Sequence, residues 1–345
     1  MTRRRRRHVL VVLAVLAILL ARAPQVRASG GGGGNGGGGN GGGSSLLLRV
    51  NPAIGEPGGV VAVVLRTYAP RPVSQGQVSI RVVRRPTTTN ATKRLGLTLA
   101  KLTQPVRPFL TLLSATVYST QGDSVAQAVL SGLPDSQLTQ LKFQSPSGTV
   151  NAADGPLAVF LYRLDPSVQP GDVFDLTIDP NPSYFKDETG KTVTLALRSG
   201  TLTVRAPGAP YSAEASGTKA QPGTVADVGL STCEPFGMSG GRVTLTWDPQ
   251  IAGGPPSVRL DPRYGRSTFT VDDSQPGRLV VEFQSADASF NSVPGTIVAV
   301  SLPIAVDAAI GSTSPFSLDP DGTWFLGANG NKLNVALQNG TITIQ

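Results

Sequence analysis

Gly190-Lys191-Thr192-Val193-Thr194-Leu195-Ala196-Leu197-Arg198-Ser199-Gly200-Thr201-Leu202-Thr203-Val204 and Gly330-Asn331-Lys332-Leu333-Asn334-Val335-Ala336-Leu337-Gln338-Asn339-Gly340-Thr341-Ile342-Thr343-Ile344 are one stretch written twice. Each ends on a strand with apolar residues at alternate positions, Leu202 and Val204 or Ile342 and Ile344. The copies stand 140 residues apart, and the spacing holds backwards without a gap. It passes through Tyr184-Phe185 against Trp324-Phe325, Asp179-Pro180 against Asp319-Pro320, Gly171 against Gly311 and Gly155 against Gly295. Toward the front of each copy the spacing is 165, pairing Pro57-Gly58 with Pro222-Gly223, Gly76 with Gly241, Val78 with Val243 and Ile80 with Leu245. The first copy therefore carries 25 extra residues between Val82 and Gly155. Two long blocks in the same order mark a duplicated module.

The first module spans 46–205 and the second 211–345, with Ala206-Pro207-Gly208-Ala209-Pro210 as a short stiff joint. A chain of 345 residues suits two such domains. Strands follow from alternation. Val243, Leu245 and Trp247 are expected to face inward and Arg242, Thr244 and Thr246 outward, and Val78, Ile80 and Val82 repeat the inward set opposite Gln77, Ser79 and Arg81. Leu279, Val281 and Phe283 form another inward set, as do Ile297, Ala299 and Ser301. The Pro-Gly pairs, Ser199-Gly200 and Asn339-Gly340 are read as tight turns. Ser124–Leu130 is read as a strand by alignment with Arg278–Gln284, and Pro134–Leu141 is expected to hold one helical turn. With 41 glycines, 28 prolines and only 15% charged residues, the fold class is all-β: two tandem jelly-roll β-sandwiches of about nine strands each.

The formal charge of +8 points to no polyanion. Seven arginines lie within the first 28 residues, and without them 23 basic residues face 22 acidic ones. A near-neutral remainder has no electrostatic footprint for nucleic acid. Arg3–Arg7 followed by the apolar run Val9–Leu20 and by small residues is an export signal over residues 1–28, with cleavage expected near Ala28 and Ala21-Arg22-Ala23 as the alternative. The run is shorter than the roughly 20 residues that cross a bilayer, so no stable membrane span is expected after cleavage. Residues 29–45, almost pure glycine, are a flexible linker spanning on the order of 20 Å. The protein is thus expected outside the cell or on its surface.

His8 is the sole histidine and leaves with the signal; Cys233 is the sole cysteine and is expected to be a small buried residue. These counts exclude histidine-based triads, Cys-His pairs and histidine metal sites, and no cofactor or metal is expected. Asp272-Asp273 and Asp187-Glu188 are neighbours in turns, and neither pair recurs in the other copy, so neither is read as a glycosidase pair. Asp319-Pro320-Asp321-Gly322 begins like a calcium loop, but Gly330 stands where the bidentate glutamate belongs. No enzymatic activity is expected.

The Pro-Gly turn after the first strand (Gln221–Val225), the aromatic-Asp-Pro of Trp247-Asp248-Pro249, the Ala328-Asn329-Gly330-Asn331 turn and above all the block Val335–Ile344 resemble the cohesin family. The resemblance covers nearly all of the second module and most of the first, which has Val82-Val83-Arg84-Arg85-Pro86 in place of the aromatic-Asp-Pro. It implies a jelly roll of a bacterial extracellular scaffoldin whose partners are dockerin-bearing proteins. It also implies that the partner sits on one sheet face, making Arg242, Thr244 and Thr246, with Ser79 and Arg81 in the first module, candidate contacts. Some carbohydrate-binding modules share the fold, and the alternative is a polysaccharide or cell-surface ligand held by Trp324 and Tyr184.

Overall fold

The computed structural model describes residues 45–68, 71–86, 108–118, 125–133, 136–145, 150, 155–260, 267–288, 290–291 and 294–345. The export signal and all but the last residue of the linker lie outside this set. Strands are numbered in chain order. In the first module one sheet runs β11 (Leu195–Arg198), β1 (Leu46–Val50), β3 (Val60–Thr67), β8 (Gly155–Leu164), β5 (Leu110–Val117). The longer sheet runs β2 (Ala53–Gly55), β12 (Gly200–Val204), β9 (Val173–Lys186), β4 (Gln75–Arg84), β7 (Ser136–Gln144), β6 (Val125–Leu133), with β10 (Thr192–Val193) on β9.

The second module repeats this order. Its shorter sheet is β17 (Ser257–Leu260), β20 (Gly295–Pro303), β15 (Val225–Thr232), β13 (Tyr211–Ala215), β23 (Val335–Gln338). Its longer sheet is β14 (Thr218–Ala220), β24 (Gly340–Ile344), β21 (Thr313–Leu318), β16 (Met238–Thr246), β19 (Arg278–Ser285), β18 (Ser267–Asp272), with β22 (Trp324–Gly327) on β16. Both modules are jelly-roll β-sandwiches.

Among the described residues each module has twelve strands rather than about nine, in part because the outer ribbons break and serve both sheets. Asn51-Pro52 separates β1 from β2, and Ser216-Gly217 separates β13 from β14. The terminal ribbon breaks at Ser199 and Asn339, and its halves pair in parallel with the halves of the first ribbon. Gly200 and Gly340 are therefore strand residues at a change of sheet, not hairpin turns. A Cβ at either would fall about 2.4 Å from a backbone oxygen, Val50 O or Ser216 O, so only glycine lets the crossing ribbons meet.

The interior of each sandwich is drawn from its own module. Leu48, Val63, Leu65, Ile80, Phe160, Phe174 and Phe185 fill the first, and Leu230, Leu245, Phe283, Phe290, Phe316 and Phe325 the second. Gly76 and Gly241 recur because a Cβ at either would strike the rings of Phe143 and Phe185, or of Phe283 and Phe325. A side-chain pair is buried in the first module: the Tyr162 hydroxyl donates to Thr139 Oγ1 at 2.7 Å, and burial pushes its ionisation well above the usual tyrosine range. Tyr162→Phe should cost about 1–2 kcal/mol in denaturant melts, because Thr139 is left without its partner.

The cross-strand register corrects two expectations. Phe143 opposes Gly76 as Phe283 opposes Gly241, so β7, not the strand through 125–130, is the counterpart of β19. The segment from Ser136 onward is accordingly a central strand without a helical turn; it alternates buried Gln137, Thr139, Leu141 and Phe143 with less buried neighbours, the two-residue period of a sheet. β6 is indeed a strand, but its counterpart is β18: Ala126 and Phe269 oppose Phe143 and Phe283 respectively, a spacing of 143. Cys233 is exposed, because Thr232 before it turns inward to bond Asn291 and alternation sends the next residue outward.

Residues 43–345 form one compact unit, and the two modules touch directly. On the outer side of β3 and β8, Ala62, Val64 and Val159 form a buried apolar cluster with Tyr118 and Leu161 against it. Gly237 of the second module lies so close over Ala62 that a Cβ there would come within 2.7 Å of the Ala62 methyl. Ile54 packs against the second core. Arg205 stacks over the Tyr211 ring at 4.0 Å, pairs with Glu234 at 3.0 Å and donates to Pro210 O. The register sets Asp227, Gly229, Ala299 and Ser301 at the positions equivalent to Ala62, Val64, Val159 and Leu161. Ala299 and Ser301, expected to face inward, lie on this outer face, since Val298, Val300 and Leu302 take the core side; Ser301 donates to the Asp227 carboxylate at 2.7 Å, as on an ordinary solvated face.

Candidate partner-binding face

The strand pairing fixes which side chains share the outer face of the second module's long sheet. Trp324, Arg242, Glu282 and Thr270 form one row across β22, β16, β19 and β18. Leu326, Gly240, Gln284 and Thr268 form the next. Gly240 has no side chain to offer, and beside it a hollow of about 290 Å³ lies over Gly241, walled by Trp324 and Leu326 on one side and by Thr268, Phe269, Thr270, Glu282 and Gln284 on the other. Arg242 and Glu282 approach to 3.6 Å at the hollow's edge, a weak, partly exposed pair. Trp324 is half-buried while Phe325 beside it turns into the core, one in and one out as strand geometry dictates.

The first module places side chains differently here. The equivalent rows are Tyr184, Gln77, Lys142 and Gln127, then Lys186, Gln75 and Gln144. Gln75 stands where the second module has Gly240, and Lys142 where it has Glu282. Tyr184 is 41% exposed and Phe185 buried, so each module does present one aromatic outward.

Two of the five candidate contacts are not at the surface. Thr244 is fully buried beneath the segment that joins β21 to β22: its hydroxyl donates to Gly322 O at 3.0 Å, its backbone N–H donates to Thr323 Oγ1, and Asp319 N–H donates back to Thr244 O. Ser79 is buried in the same way, its N–H donating to Ser183 Oγ. Alternation correctly aims both outward, but it cannot reveal that the chain folds back over them. Arg242, Thr246 and Arg81 keep surface exposure. Arg81 is engaged by Asp179 at 2.9 Å, and that hydrogen bond is the main reason the Asp179 carboxyl sits below its usual range. Leu326, Gln284 and Glu282, which alternation alone does not single out, join Trp324 around the hollow.

The other carboxylates are consumed locally. Asp187 accepts from Thr189 and Lys191, Asp272 from Ser274, and Asp321 N–H donates to Asp319 Oδ1. Among the described residues, no three histidine, cysteine, aspartate or glutamate side chains gather as metal ligands, and no helix is long and apolar enough to cross a membrane.

No protein-family model matches the chain. No curated protein matches it either. Among solved structures it is similar to cohesins. The sixth cohesin of scaffoldin B from Acetivibrio cellulolyticus, solved with a dockerin, is 19% identical over 40% of this chain and 100% of that chain, with a TM-score of 0.36. The OlpA cohesin of Clostridium thermocellum, also solved with a dockerin, is 12% identical over 40% of this chain and 100% of its own, with a TM-score of 0.35. A non-cellulosomal cohesin of the archaeon Archaeoglobus fulgidus is 17% identical over 40% of this chain and 92% of its own, with a TM-score of 0.31.

Proposed function

We propose that this protein is an exported, non-catalytic interaction protein whose second module binds a partner protein of dockerin type through the outer face of its long sheet. The observation that carries this reading is the hollow over Gly241, an apolar wall of Trp324 and Leu326 facing Glu282, Gln284, Thr268 and Thr270. An apolar centre with a polar margin is the anatomy of a protein interface, and half-buried tryptophan is the residue type on which binding energy concentrates. The sequence resemblance to cohesins, strongest in Val335–Ile344, supports the same face. Arg242 and Thr246 remain its candidate contacts; Arg81 is the first module's. Export rests on the arginine-rich, apolar N-terminus, and cleavage near Ala28 would leave both modules outside the cell or on its surface.

Pull-down from the medium of an expressing culture should recover proteins with paired calcium-loop repeats. Trp324→Ala should then weaken capture by roughly 30-fold, about 2 kcal/mol, whereas Tyr184→Ala leaves it unchanged. Capture that survives Trp324→Ala would sink this site. The half-buried Trp324 beside Gln284 and Glu282 also suits a sugar ring. Retention on insoluble polysaccharide, lost in Trp324→Ala and without any protein captured, would instead establish a carbohydrate-binding protein.

A further inference from the structure

The outermost strand of the second module's long sheet, β18, pairs only with β19 over Thr268–Asp272 among the described residues. Such an edge offers a row of unpaired backbone groups, and proteins blunt it with lysine, proline, bulges or a covering segment. Ser267-Thr268-Phe269-Thr270-Val271-Asp272 has none of the first three. Its register with β19 is continuous, five of its six residues are exposed, and Phe269 and Val271 stand 43% and 41% exposed. They share the face of Phe283 and Val281, so they extend the second core past the rim of the sandwich. The equivalent strand of the first module, β6, carries Ala126 and Ala128 at these positions, and Ala128 packs against the core. The second module thus has the larger apolar side chains on the more open edge.

We infer that β18 pairs antiparallel with β18 of a second copy of this chain. The strand is complementary to itself. A two-fold axis through Thr270, perpendicular to the sheet, sets Phe269 opposite Val271 of the second copy and the reverse. Four apolar side chains then close over one face, and Thr270 meets its own counterpart on the other. The same axis sets Thr268 opposite the Asp272 carboxylate, with the two aspartates at opposite ends of the pairing. Five residues a side is about a fifth of what a stable interface uses, so the dimer is reversible, with a dissociation constant of roughly 10–100 µM.

Sedimentation of the full-length chain recovered from an expressing host, between about 1 and 300 µM, should show a monomer–dimer equilibrium that Phe269→Lys or Val271→Lys abolishes. Val129→Lys, on the exposed part of β6, should leave it intact. In a Cys233→Ser background, Thr270→Cys should cross-link to a dimer under mild oxidation. Thr268→Cys should not, since its counterpart lies about 13 Å along the paired strands. A monomer throughout that range, a dimer that survives both lysine variants, or equal cross-linking at 268 and 270 would overturn the inference; capture of an extended peptide by a strictly monomeric chain counts on that side too.

Discussion

Phe283→Ala will cost the protein about 3–5 kcal/mol, enough to leave the second module partly unfolded at 37 °C. The ring stacks on Phe290 at 4.2 Å between centroids, lies 6.4 Å from Phe325, and covers the gap that Gly241 leaves in β16. The Phe325 ring reaches the same space from the neighbouring strand. Flanking groups cannot collapse into it, because β19 is held on both sides, by β16 and by β18. Phe283→Leu, which keeps part of the volume, should retain more than half of the lost stability. Denaturant melts followed by tryptophan fluorescence will measure both, since Trp247 and Trp324 both belong to this module. A loss under 1 kcal/mol for the alanine variant would mean that Gly241 is not a packing glycine.

Ala62→Asp will separate the two modules energetically. Ala62 is buried against Gly237, so a carboxylate there is taken out of water. Burying it should cost about 3 kcal/mol. The second module supplies the control, because Asp227 occupies the equivalent position on β15, is exposed and accepts from Ser301. An aspartate is therefore compatible with this strand of the sandwich, and the loss belongs to the seam rather than to the sheet. Calorimetry should show one unfolding transition in the native chain and two in the variant, the lower one near the native module-alone value. One undivided transition in Ala62→Asp, at the native temperature, would show that the modules do not stabilise one another.

The architecture was readable because the duplication repeats its glycines at fixed spacing, and each sits where two parts of a sandwich come together. Gly76 and Gly241 admit aromatic rings; Gly200 and Gly340 admit a crossing ribbon. The sequence named them as turns at the latter pair because serine-glycine and asparagine-glycine are common hairpin signals, and a close backbone approach leaves the same residue types behind. The 25 extra residues were counted correctly but only partly placed. Register puts 22 of them before Ser114, which pairs with Leu161 as Ser257 pairs with Ser301, and three in the lengthened β6–β7 hairpin.

The site was harder to read. Alternation along β4 and β16 gives the side a residue faces, and it aimed Ser79 and Thr244 outward correctly, yet burial there depends on a segment about 80 to 100 residues away that crosses the strand. The hollow is missed for a related reason. It lies over Gly241 and is walled by Leu326 and Gln284 arriving from other strands, which only register brings together. The module seam did leave a signal that comparison of the copies could have found: Ala62, Val64, Val159 and Leu161 in one against Asp227, Gly229, Ala299 and Ser301 in the other. A duplicated face that is greasy in one copy and polar in the next is a face that one copy covers.

That covered face bears on how the protein could hold two things at once. Beads on a slack string let a double-headed partner find its second site from many positions, at a cost in lost freedom each time. Here Gly237 seated on Ala62 and the Arg205 contacts to Tyr211 and Glu234 set the spacing of the two outer faces in advance. A partner that bridged both modules would need two heads matching that spacing. The seam therefore acts as a ruler for whatever engages both modules.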